Sequence, residues 1–225
     1  MRLLAAILAC VCAFGQEAQT PLPEGVYRAG NGVTAPMVVG KTDPEYSEEA
    51  RIARLTGTVH LSLVVGDDGK VRDVRAASPG LGLGLDQKAI EAVSEWRFKP
   101  GLKDGKPVSV RVDMETNYRL AFERGAWALS RAVFHPPEGV ARPVLTRAPY
   151  PSIYTATGET GAVGISFDIN SEGGTENLHI ESSSGSAAER EVISIVRGWQ
   201  FRPSIKDGHP VSVRCTLGFV RGNVQ

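Results

Sequence analysis

Apolar residues recur at every second position in two stretches of the chain. Val59, Leu61, Leu63 and Val65 are spaced by His60, Ser62 and Val64, and Val163, Ile165, Phe167 and Ile169 by Gly164, Ser166 and Asp168. A period of two with one apolar face predicts a half-buried strand in each place. Asp67-Asp68-Gly69 and Ser171-Glu172-Gly173-Gly174 follow them and suit tight hairpin turns. The returning strands carry Val71 and Val74 in one copy, and Thr175, Leu178 and Ile180 in the other. Their spacing breaks the alternation at the same place, which predicts a bulge. The period then changes. Ala89, Val93 and Trp96 share a helical face, as do Val192, Val196 and Trp199. A proline after each Trp-x-Phe stops the helix and starts an extended stretch. A last strand closes each unit. Val108, Val110 and Val112 point inward and Ser109, Arg111 and Asp113 outward; the second unit places Val211, Val213, Cys215 and Leu217 inward, with Ser212, Arg214 and Thr216 between them.

The two sets of elements are copies of one pattern. Trp96-Arg97-Phe98-Lys99-Pro100 recurs as Trp199-Gln200-Phe201-Arg202-Pro203, and Lys103 to Arg111 recurs as Lys206 to Arg214, both 103 residues later. Gly57-Thr58-Val59 matches Gly161-Ala162-Val163 at 104, and Gly32-Val33 with Pro36 matches Gly139-Val140 with Pro143 at 107. The fold class expected is α+β, as two tandem β-β-α-β domains of about 90 residues, a size that can fold alone. Each would be a small antiparallel sheet with one helix across one face. The expected divisions are a signal peptide over 1–15, a linker over 16–31, a first domain over 32–120, a linker over 121–138 and a second domain over 139–225. Trp127, Leu129 and Val133 alternate with polar or small neighbours, so the second linker could carry an extra strand. Trp96, Phe98, Trp199 and Phe201 are read as core residues that lock each helix to its sheet.

The N-terminus bears on address. Arg2 precedes an apolar run from Leu3 to Phe14 that is too short to span a bilayer, which needs about 20 residues. A basic start, a short apolar core and Ala13-Phe14-Gly15 fit a secretory signal peptide. The expected localisation is the periplasm or cell envelope, with no transmembrane span left after cleavage. Lipid anchoring at Cys10 is the lesser alternative. Cleavage removes Cys10 and Cys12 and leaves only Cys215, so no internal disulfide is expected. Cys215 reads as a small buried hydrophobe.

Composition and motifs exclude several functions. The chain has 25 basic and 25 acidic residues and is 42% hydrophobic. This balance argues for a globular protein and against a nucleic-acid partner. Gly80-Leu81-Gly82-Leu83-Gly84 lacks the spacing of a dinucleotide fingerprint and the lysine of a P-loop. His60, His135, His179 and His209 show no metal-ligand spacing, and Ser182-Ser183-Ser184 has no catalytic motif around it. No catalytic, metal or cofactor site is expected. Low aromatic content, 7%, argues against a glycan binder.

The ordered elements, present twice, resemble the C-terminal domain of TonB-type energy transducers. The residues that carry the resemblance are Asp43-Pro44-Glu45-Tyr46 or Tyr150-Pro151, then Gly57 or Gly161, and Gly69 or Gly173. They continue with Ser78 or Ser182 to Gly185, Trp96 to Pro100 or Trp199 to Pro203, and Asp104 to Val108 or Asp207 to Val211. The likeness covers about residues 32–118 and 139–220. It implies a non-enzymatic domain that binds a protein or peptide, including segments of outer-membrane transporters, by edge-strand pairing. The family's transducers also carry a membrane helix and a long proline-rich spacer. This chain shows neither beyond its leader, so binding without its own inner-membrane energy coupling is expected. The resemblance places the docking edge on the last strand, over Val108–Leu120 in the first unit, with Val108, Ser109, Val110, Arg111, Val112 and Asp113 named as its residues, and over Val211–Phe219 in the second, with Val211, Ser212, Val213, Arg214 and Thr216. Arg111 and Arg214 would either meet an acidic peptide residue or stand as solvated surface groups. The alternative expectation is a scaffolding protein whose sheet edges pair with one another, between domains or in a homo-oligomer.

Overall fold

The computed structural model describes residues 22–77, 80–120, 126–150 and 160–221. The leader, with Cys10 and Cys12, lies outside the described residues, as do Ser78 and Pro151. Among the described residues, fifteen strands and three helices follow one another along the chain. The first half contains β1 (Val26–Arg28), β2 (Met37–Gly40), α1 (Glu48–Ile52), β3 (Gly57–Val65) and β4 (Val71–Ala76), then α2 (Leu85–Ser94), β5 (Arg97–Lys99), β6 (Gly101–Lys103) and β7 (Lys106–Tyr118). Next comes β8 (Trp127–His135). The second half contains β9 (Val144–Arg147), β10 (Gly161–Ile169), β11 (Thr175–Ser183), α3 (Ser186–Arg197), β12 (Gln200–Arg202), β13 (Ser204–Lys206), β14 (His209–Val211) and β15 (Val213–Arg221). The fold is α+β. Each half carries the order β-β-α-β, as β3-β4-α2-β7 and β10-β11-α3-β15.

The alternating residues do what their period requires. Val59, Leu61, Leu63 and Val65 on β3 and Val163, Ile165, Phe167 and Ile169 on β10 are all buried. Leu85, Ala89 and Val93 on α2, and Ala188, Val192, Ile195 and Val196 on α3, cover that apolar face. The bulge sits on the returning strands. Between the pairs Ser62↔Arg75 and Val64↔Arg72 the register shifts, and between Ser166↔His179 and Asp168↔Glu176 it shifts again. Asp73 (φ 51°) and Asn177 (φ 52°) are the left-handed residues inside those shifts. Short acidic or amide side chains tolerate that conformation better than most. The hairpin turns also dock on the strand after each helix. Phe98 N–H donates to Gly69 O at 3.0 Å, and Phe201 N–H to Gly173 O at 2.8 Å. A Cβ at Gly173 would stand 1.9 Å from the Phe201 carbonyl oxygen, so only glycine allows this approach.

The strands form two main sheets, ordered β1-β7-β3-β4 and β11-β10-β15-β8, with β6 also paired to β7. Three small ribbons, β2-β5, β9-β12 and β13-β14, complete the fold. Pairing is antiparallel except between β1 and β7. The halves do not keep separate cores. One continuous cluster runs from Ala50 through Leu55, Leu63 and Trp96 to Trp127, Phe167, Trp199 and Phe219. Trp96 and Phe98 are 8% and 7% exposed, Trp199 and Phe201 0% and 5%.

β8 holds the halves together. One edge pairs with β15 from Arg214↔His135 to Arg221↔Trp127. Its other edge meets the first half: Thr56 N–H donates to Leu129 O (2.9 Å), Leu129 N–H to Arg54 O (3.2 Å) and Ala132 N–H to Leu81 O (2.9 Å). Trp127 itself belongs to the second half. It is fully buried, donates its indole N–H to Glu191 at 2.7 Å, and lies under the Arg221 guanidinium. A second tie is polar. Glu49 on α1 takes both terminal nitrogens of Arg142, at 2.6 and 2.8 Å, and the Leu145 N–H at 2.8 Å. Tyr150 O–H donates to Ala53 O at 2.7 Å.

Cys215 is wholly buried within β15, between Phe167 on β10 and Phe134 on β8. Burial pushes its thiol far above the usual range. A maleimide reagent is therefore expected to label the native chain slowly and the denatured chain at once, as read by mass spectrometry. Fast labelling of native protein would contradict this packing.

Candidate functional site

Strand addition needs main-chain N–H and C=O groups that the protein leaves unpaired. The last strands were the expected place, and the structure corrects this for most of their length. On β15, Val213 to Arg221 pair with β10 on one side, and Arg214 to Arg221 with β8 on the other. Val211 on β14 pairs with Ser204. Arg214 and Thr216 thus lie on no open edge, and Val211 and Val213 are each paired on one side. On β7, Val108 pairs with Gly101 of β6, while Ser109, Val110 and Arg111 pair with Val26, Tyr27 and Arg28 of β1. The physical reason is the same in both halves: chain outside the repeated unit folds back and fills the border.

One stretch differs. Val112 to Tyr118 of β7 pair with β3, from Leu63↔Val112 to Gly57↔Tyr118. Among the described residues no strand lies on their other side. Of the expected docking residues, Val112 and Asp113 fall here. In the second half the matching stretch, Cys215 to Arg221, is the part of β15 that β8 covers antiparallel. The two copies therefore display one edge in two conditions, open on β7 and filled on β15.

The open stretch is firmly backed. Tyr118 is 2% exposed and donates its O–H to Leu85 O at 3.1 Å. Its ring meets Tyr46 edge-on at 5.2 Å. Burial raises the Tyr46 phenol to about 12, and burial raises Tyr118 too, aided by the charge of Asp86. Both hydroxyls stay protonated and act as donors. On the solvent face, His60, Ser62, Arg75, Asp113 and Glu115 line a shallow groove of about 490 Å³ beside this edge. His60 Nδ1 stands 3.2 Å from Glu115. Arg111, two residues before Asp113 on β7, is in register with Val64. Arg214, its counterpart, is already engaged with Asp168. Sequence reading missed Glu49, Arg142, Arg28 and Val64 as residues of interest. The one available signal was the mismatch of Val64 with Asp168 between otherwise similar copies.

Among the described residues, no group of three or more His, Cys, Asp or Glu side chains is placed to hold a metal. No described helix is long and apolar enough to cross a membrane.

Comparison with known proteins gives the lineage. The family model for the Gram-negative bacterial TonB protein C-terminal matches residues 42–120 and again 146–220. Protein TonB of Vibrio cholerae serotype O1 (strain ATCC 39315 / El Tor Inaba N16961) is 30% identical over 100 residues, 41% of this chain and 41% of that protein. The chain thus spans well under half of that relative's length. A solution NMR structure of the Pseudomonas aeruginosa TonB CTD aligns at a TM-score of 0.33 and 20% identity, over 42% of this chain and 93% of that one. The family is one of non-enzymatic cell-envelope domains that work through contact with other proteins. With its model matched in both halves, over more than half of the sequence, this chain belongs to the TonB C-terminal family.

Proposed function

We propose that the protein is a non-enzymatic binding module of the cell envelope. It captures an extended segment of a partner protein as an added antiparallel strand on Val112–Tyr118 of β7. The observation that carries this reading is the internal precedent: β8 occupies the equivalent stretch of β15 in that manner. Main-chain bonds supply affinity, and the groove of His60, Arg75, Asp113 and Glu115 supplies choice. Segments of outer-membrane transporters are the partner class the family suggests. Binding without energy coupling of its own is part of this reading. The division into tandem units at 32–120 and 139–225 is part of this reading, as is export behind a leader over 1–15.

For the second half a structural role is favoured, because β15 already has β8 as its neighbour. Such a role would correspond to the scaffolding alternative, confined to one chain.

Hydrogen exchange tests both roles. In the free protein, alternate amides of 112–118 are expected to exchange quickly and those of 214–221 slowly. A peptide from the plug segments of outer-membrane transporters, selected from an array, should slow 112–118 and leave 214–221 unchanged. Protection that appears on β4 or β11 instead, or slow exchange at 112–118 without peptide, would defeat the proposal.

A further inference from the structure

One difference between the outer faces of the two sheets concerns an arginine. On β15, Arg214 lies in register with Asp168 of β10. Its Nε donates to Oδ1 at 2.8 Å and its Nη2 to Oδ2 at 3.0 Å. These bonds are the main cause that holds the Asp168 carboxyl below its usual range. On β7, Arg111 holds the corresponding register place, but its neighbour on β3 is Val64. Beyond Val64 stands Arg72 of β4, and on the opposite side stands Arg28 of β1. The row across the sheet reads Arg28, Arg111, Val64, Arg72, with strands about 4.8 Å apart.

Only one of these cations is answered. Arg72 pairs with Asp68 at 3.0 Å. Among the described residues neither Arg28 nor Arg111 forms an ion pair. Asp113, two residues along β7 on the same face, pairs with neither. The Nε of Arg111 is buried and has no hydrogen-bond partner. Like charges on adjacent strands repel, and an unmet buried donor on a charged group is costly. The second half shows what would relieve both: a carboxylate gripped by two guanidinium nitrogens, the geometry arginine favours.

We infer that Arg111, with Arg28 beside it, is a receptor for a carboxylate that comes from outside the chain, an Asp or Glu side chain of the bound partner. Asp168 is the internal image of that ligand. The inference rests on the binding reading above only for the owner of the carboxylate, since a strand on Val112–Tyr118 would end beside Arg111, where β1 takes over the edge.

The test uses the full chain labelled with ¹⁵N, following the arginine Nε–H resonances. Sodium succinate is compared with sodium chloride at equal ionic strength. The Arg111 signal is expected to move saturably with succinate and not with chloride, while the Arg214 signal stays still. Arg28→Gln should weaken succinate binding by about threefold, the range of an exposed ion pair. Val64→Asp supplies the carboxylate from within and should abolish the response. No saturable shift at Arg111, an equal shift with chloride, or an undiminished response in Val64→Asp would overturn the inference. So would tighter binding of inorganic phosphate than of succinate. Succinate binding at Arg111 in a chain that captures no peptide on β7 would sink the strand-addition reading and support this site.

Discussion

Trp199→Ala is expected to cost about 3–5 kcal/mol and to unfold both halves together. Trp199 is fully buried, with its ring centroid 5.9 Å from Phe219, 6.2 Å from Phe201 and 6.5 Å from Tyr150. Its indole N–H finds no hydrogen-bond partner among the described residues. The side chain is therefore held by packing, and truncation leaves a cavity whose cost the removal of the unmet indole N–H offsets only in part. The loss is a large fraction of the roughly 5–15 kcal/mol that a folded domain has. Because the core is continuous across β8, the damage should not stay local. Denaturant melts of the variant, followed by circular dichroism and by exchange at β3 and β10, should give one shared midpoint below that of the parent. A first half that melts at the parental midpoint while the second half fails would refute the shared core.

Glu49→Ala is expected to cost about 2–4 kcal/mol. The loss leaves the Arg142 guanidinium and the Leu145 N–H without their common acceptor. Removing one member of a buried pair costs about 3–5 kcal/mol, and partial exposure of Arg142 (33%) lowers that figure. Glu49→Gln keeps a neutral acceptor for the amide and should cost about half as much. Denaturant midpoints at unchanged slope would read this. A change under about 0.5 kcal/mol would make the contact an ordinary surface pair. The other copy shows what this contact contributes. Leu145 on β9, beside Glu49, is 2% exposed. Val38, its counterpart on β2 with no such helix against it, is 45% exposed, and Met37 and Val39 are exposed more still.

The repeated unit could be read directly from its residues. Alternation at Val59–Val65 and Val163–Ile169 has one physical cause, a sheet with one dry face, and the pattern is local. The break in spacing after Val71 and Thr175 likewise marks the bulges at Asp73 and Asn177. What lies next to the last strand is a different kind of fact. β1 and β8 pair with residues about 80 positions away, and nothing in Val26-Tyr27-Arg28 or Trp127–His135 states its neighbour. Register across an edge depends on where distant chain finds room, so the expected docking edge is filled along 108–111 and 214–219 and open along 112–118. Alignment of the two copies sets Val64 against Asp168. Its meaning needed the register, which shows Asp168 standing opposite Arg214 and Val64 opposite Arg111.

β8 has a bearing on how this molecule can be dissected. It is a hinge pin threaded through two leaves, and belongs as much to one as to the other. A cut on either side of Trp127–His135 awards it to a single fragment, and a cut inside it breaks it. The fragment deprived of it is left with raw, unmated backbone, the kind of border that invites clumping. Neither leaf is therefore a faithful miniature of the whole.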